Sequence, residues 1–134
     1  MKIVKNKISL TELKKMARQK ETYQHKQLAA GRWQKLTFFE QMANIGSEVE
    51  RAISWRKKRN KEYSQRAFAR ALELLTLTIT DLRNKKRLRE LTRLREVLVD
   101  YFFGKNQFSF SDKLWHNYFY AFTYAARVSS IVKR

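Results

Sequence analysis

No proline interrupts this chain of 134 residues, and only three glycines do. Proline removes a helical hydrogen bond and clashes with the preceding turn, and glycine weakens a helix through backbone entropy. A chain so poor in both can hold helix over many turns, and its fold class is read as all-α. The length fits a single domain with a core of its own.

Cap signals divide the chain. Ser9 followed by Glu12 is a capping box, opening a segment that runs to Ala30 and stops at Gly31. Thr37 with Glu40 is a second box. It opens a helix reaching about Lys58, in which Phe38, Met42, Ile45, Val49 and Ala52 recur at the spacing of a buried stripe. Gly46 sits inside that helix at a cost of about 1 kcal/mol against alanine, which points to close helix packing there. Asn60 caps a helix over residues 61–80 with a wide apolar face that includes Phe68, Leu74 and Leu75. Residues 81–84 make a short turn, so the next helix, 85–103, runs back antiparallel and ends at Gly104. Ser111 caps a last helix carrying Leu114, Trp115, Tyr118, Phe119 and Phe122. The expected architecture is an up-down four-helix bundle over residues 36–134, with an additional basic N-terminal helix or arm over residues 1–35.

The formal charge of +18 is the main functional signal. A small domain stays soluble with a net charge of about 2 to 8, so solubility does not account for it. A polyanionic partner offsets the self-repulsion of such a chain. Residues 1–35 hold ten Lys/Arg against two Glu, with Lys14, Lys15, Arg18 and Arg32 among them. Two further clusters lie in the bundle: Arg56, Lys57, Lys58 and Arg59, and Lys85, Lys86 and Arg87 with Arg89 and Arg93. In an up-down bundle these clusters fall at opposite ends, about 30 Å apart for helices of about 20 residues. The end that receives the basic arm also receives Lys85 to Arg87 and is expected to be the most positive. On a continuous helix Lys86, Arg89 and Arg93 form one stripe. Cations of this kind contact phosphates and carry no sequence information. Trp33 and Trp55, each beside a basic residue at a helix end, are candidates for stacking on unpaired bases. The solvated-face alternative stays open for each cluster, and core packing for each tryptophan.

Catalysis finds little to use. His25 and His116 are the only histidines and have no acidic neighbours in sequence. There is no Gly-rich phosphate loop, nucleophile motif or Glu-x-x-His pair. Glu96 and Asp100 at i, i+4, with Glu73, are the residues a nuclease would have to use, and salt bridging within the bundle is the blander reading. No metal site and no cofactor is expected. The absence of cysteine excludes disulfides and thiolate zinc sites and suits a reducing compartment. No apolar run approaches the roughly 18 residues of a membrane span, and no signal core follows Met1 to Lys7. Residues 10–30 are too polar to anchor well on a membrane surface. The expected location is cytoplasmic.

The segments Ala43-Asn44-Ile45-Gly46-Ser47-Glu48-Val49, Arg70-Ala71-Leu72-Glu73-Leu74-Leu75 and Leu94-Arg95-Glu96-Val97-Leu98 prompt a comparison over residues 36–130. There the chain resembles, in architecture, the basic four-helix-bundle proteins of 23S rRNA intervening sequences and the accessory variability proteins of diversity-generating retroelements. The resemblance implies a nucleic-acid-binding accessory factor, homo-oligomeric and pentameric, that docks a reverse transcriptase. Leu72, Leu77 and Phe103, in excess of one bundle's seam, would serve such a ring. The competing class is a protein-interaction subunit, toxin–antitoxin-like or an adaptor, whose charge meets an acidic protein.

Overall fold

The computed structural model describes residues 31–132. The expected helix over 9–30, with Lys14, Lys15, Arg18 and His25, lies outside them. Four helices account for most of the described chain: α1 (Phe38–Lys57), α2 (Lys61–Thr80), α3 (Leu88–Phe103) and α4 (Asp112–Val132). Their starts follow the cap chemistry. Thr37 Oγ1 accepts from Glu40 N at 3.2 Å while the Glu40 carboxylate accepts from Thr37 N at 2.8 Å, so both halves of the capping box form. Asn60 accepts from Tyr63 N, and Ser111 accepts from Leu114 N.

The helices run up, down, up and down. α1 packs along α2 and α4, and α2 along α3. Arg87 lies 4.0 Å over the Phe38 ring, which brings the start of α3 to the end where α1 begins; we call this the proximal end. At the distal end Arg56, near the close of α1, reaches Tyr101 on α3 and Asp112 on α4. The core holds Met42, Ile45, Val49, Phe68, Leu75, Leu91 and Leu98, all fully or almost fully buried. Between α3 and α4 the side chains of Phe110, Trp115 and Tyr118 bridge a cleft of about 340 Å³.

Three expectations are corrected. α3 starts at Leu88, because residues 82–87 form a 3-10 segment (Leu82–Arg87) held by Asp81. Leu72 and Leu77 are core residues, 6% and 8% exposed, and offer nothing to an assembly surface. The exposed apolar residues are instead Tyr63, Leu82, Leu88, Phe103 and, on α4, Leu114, Tyr120, Tyr124, Val128 and Ile131. Finally, Trp33 belongs to the bundle and not to the arm, since it is 0% exposed.

Trp33 sits in a buried polar network that closes the proximal end. Its indole N–H donates to Thr78 Oγ1 at 3.0 Å. Gln41 Nε2 donates to the Trp33 carbonyl and to Asp81 Oδ2, and Asn84 Nδ2 donates to Gln41 Oε1 and the Thr78 carbonyl. Arg83 grips both Asp81 oxygens and the Leu36 carbonyl. Within this network Trp33, Gln41, Thr78, Asp81 and Asn84 thus all find partners, as burial demands.

The Arg83 guanidinium, opposed by burial and helped by Gln41, holds the Asp81 carboxyl down at about 2 against an ordinary 3.8. A carboxyl depressed by folding stabilises the native state above its unfolded pKa, and that contribution disappears as pH falls through the folded value. Urea titrations followed by helical circular dichroism should therefore lose about 2 kcal/mol between pH 4 and pH 2. Asp81→Asn should be less stable at pH 7 and should lack this part of the acid response. An unchanged acid response in Asp81→Asn would exclude the pairing as its cause.

Candidate nucleic-acid interface

Ten acids among residues 36–134 face twenty Lys/Arg, so where the acids sit decides which cations face solvent unopposed. Four of the acids meet arginines, on the body of the bundle and at both of its ends. Glu48, 4% exposed, meets Arg51 at 2.7 Å and Arg70 of α2 at 3.0 Å. Glu62 pairs with Arg66, and Asp81 with Arg83. Asp112 draws Arg56 to 3.6 Å and Lys57 to 3.9 Å, and accepts a hydrogen bond from the Tyr101 hydroxyl. Burial, then Asp112, pushes that hydroxyl up to about 12, so it stays a donor.

At the two ends cations outnumber these acids. Lys85, Lys86, Arg87 and Arg89 are exposed at the proximal end, and Lys58, Arg59 and Lys61 at the distal end. Among the described residues no ion pair joins any of these seven to an acid. Arg32 is exposed beside them at the proximal end, where the chain enters.

The predicted residues divide accordingly. Arg56 is held in place: its guanidinium lies 4.6 Å over Tyr101 and 4.9 Å over Phe102 and donates to the Tyr101 carbonyl. Lys86 stands in the 3-10 segment, outside α3, and Arg93 is turned onto Phe108 at 5.2 Å. The single stripe Lys86–Arg89–Arg93 therefore does not form, because it assumed α-helical rotation from residue 85 onward. Trp33 has no surface to stack on a base. Trp55 is half-buried, with Tyr63 edge-on at 4.9 Å and the Lys58 ammonium 5.0 Å over its ring.

Beside the distal cluster is a feature that spacing did not reveal. A cavity of about 450 Å³ is lined by Arg56, Arg59 and Lys61 and by Phe68, Phe102 and Phe103, with Ser64 and Gln65. Phe68 is buried and stacks on Phe102 at 4.5 Å, with Phe103 edge-on at 5.4 Å. Phe103 itself is 56% exposed. The volume falls in the range of small-ligand sites, roughly 300–1,000 Å³. The available sequence signals were the Phe102-Phe103 pair ahead of Gly104 and the resumption of basic charge at Lys61 after Asn60. Neither alone shows that the end of α3 meets the turn after α1.

No family model, curated protein or solved structure matches the chain. Its own geometry must therefore carry the functional reading.

Of the acids considered for catalysis, Asp100 has other work. Asp100 is 2% exposed; its carbonyl accepts from Gly104 N and its carboxylate from Phe108 N, so it organises the loop before α4. The structure does bring an acid to a histidine, Glu50 Oε2 lying 3.0 Å from His116 Nδ1 in an open cleft of about 280 Å³ between α1 and α4. The neighbouring Ser47 hydroxyl donates to the Ala43 carbonyl, so it is not presented to the imidazole as a nucleophile. Among the described residues no three His, Asp or Glu converge as a metal site.

Proposed function

We propose that this protein is a non-catalytic accessory factor that binds nucleic acid through the two basic ends of its bundle. The observation that supports this is the surplus of cations at both ends. Asp81 and Asp112 engage Arg83, Arg56 and Lys57 at the two ends, yet seven further exposed cations there meet no acid among the described residues. Clusters of cations on a rigid scaffold are what a phosphate backbone requires, and release of its counterions supplies the affinity. Residues 1–35 carry ten further Lys/Arg, of which Arg32 and Lys35 are exposed at the proximal end. Among the described residues no helix is long and apolar enough to cross a membrane.

A reverse-transcriptase partner and a homo-oligomeric ring follow from the family resemblance. The exposed apolar residues Tyr120, Tyr124, Val128 and Ile131 on α4 are the surface that such an assembly would use.

Fluorescence anisotropy with labelled RNA and DNA tests the reading. Log affinity should fall linearly with log salt and lose orders of magnitude between about 50 and 200 mM. Neutralising Lys85, Lys86 and Arg87 together, or Lys57, Lys58 and Arg59 together, should each make that line shallower by about one for every phosphate contact removed. Absence of binding to single-stranded RNA and duplex DNA at low salt would overturn the proposal and assign the charge to an acidic protein partner.

A further inference from the structure

We infer that the distal cavity receives one unpaired nucleotide from a nucleic-acid strand, its base laid against Phe103 and its phosphate held by Arg59 and Lys61. This rests on the nucleic-acid reading above and adds the kind of strand that is bound.

Three independent features lead there. The first is the pairing of surfaces in one cavity: aromatic rings from α2 and α3, and cations from the turn between α1 and α2 and from the helix ends that flank it. A nucleotide presents the same two chemistries side by side, a flat π-face and an anionic phosphate. The second is Phe103. A large apolar ring left 56% exposed is held against the buried Phe68, so it is a stiff platform and not a loose side chain. Every base has a face that stacks on such a ring, whatever its sequence. Bases within a duplex keep their faces covered, so only an unpaired or extruded one reaches the ring.

The third feature is the backbone of Arg59. The turn after α1 closes with Arg59 N donating to the Arg56 carbonyl at 3.0 Å and Asn60 N to the Trp55 carbonyl at 2.9 Å. That closure puts Arg59 at φ 60°, in the left-handed region where glycine carries no penalty and a side chain does. The strained position holds an arginine on the cavity wall, and strain of this kind accumulates where a side chain has a task. Arg56 cannot share that task easily, because Tyr101, Phe102 and Asp112 already engage it.

The test uses the full chain and labelled 12-mers of U and of dT, each alone and paired with its complement. Wild type should prefer both single strands to their duplexes, and the U and dT arms show whether the sugar matters. Phe103→Ala should weaken single-strand binding about tenfold, leaving duplex affinity and the single-strand salt dependence unchanged. Phe103→Leu should weaken it similarly and Phe103→Trp should not, which separates stacking from mere apolar contact. Arg59→Gly should reduce the salt slope by about one while raising Tm by a few degrees, opposite signs that a purely structural arginine would not produce. The inference is overturned if Phe103→Ala leaves single-strand binding intact or weakens duplex binding equally, or if Arg59→Gly binds as wild type. Equal wild-type binding to strands and duplexes, indifferent to Phe103, would sink this inference and leave the proposed function standing. No binding by wild type to any of them would end both.

Discussion

Replacing Trp33 with alanine is expected to lower the unfolding free energy by about 3–5 kcal/mol, a large part of what a domain of this size possesses. The residue lies ahead of α1, in a segment that sequence alone assigns to the arm, yet no other side chain of its size is fully buried at the proximal end. Its removal leaves a cavity over the Thr78 hydroxyl and takes away the donor that meets it. The damage is bounded, because Thr78 Oγ1 also donates to the Leu74 carbonyl and keeps that bond. Trp33→Phe should therefore cost less, about 1–3 kcal/mol, from the smaller ring and the lost N–H. Urea unfolding followed by circular dichroism measures both. A loss below about 1 kcal/mol in Trp33→Ala would show that the proximal end is held closed by something other than the indole.

Gly46→Ala should be the second large loss. A Cβ at this position would stand 2.6 Å from Phe119 Cβ and 2.7 and 2.9 Å from its ring carbons Cγ and Cδ1. Real contacts do not come so close, and the near end of the Phe119 side chain cannot swing aside, so α1 and α4 must move apart. Overpacking of this kind costs about 1–3 kcal/mol, occasionally more, and alanine's better helix propensity returns only about 1. Because the worst overlap is with Phe119 Cβ, Phe119→Ala should not rescue it, whereas Phe119→Gly should recover part of the loss. A Gly46→Ala protein as stable as wild type would mean that the two helices approach less closely than 2.6 Å implies.

Gly46 also shows why some of the fold was legible. Glycine in a helix interior is a local cost, so its presence signals something across the interface, here the close passage of α4. The capping residues Thr37, Asn60 and Ser111 were legible for a similar reason, since each acts within three residues of itself. What stayed hidden depends on contacts between distant segments. Trp33 and Thr78 are 45 residues apart, and an aromatic beside a basic residue at a helix end reads equally well as a stacking platform or a plug. The 3-10 segment ahead of α3 follows from Asp81 accepting from Arg83 N and pairing with its guanidinium, which the pattern of leucines does not record. The distal cavity needs the end of α3 to lie against the turn after α1. Sequence places Arg59 and Phe103 only at the tips of separate helices.

The seating of Trp33 has a mechanical consequence. A pull on the chain before Gly31 is not delivered to the first turn of α1, where a helix would fray. It is borne first by a buried indole and by Gln41 on the Trp33 carbonyl, and through Thr78 it passes into α2. The described chain is thus moored to the body from Trp33 onward. Tension arriving there is shared between two helices from the outset, so the bundle answers as one piece and does not peel from its first turn.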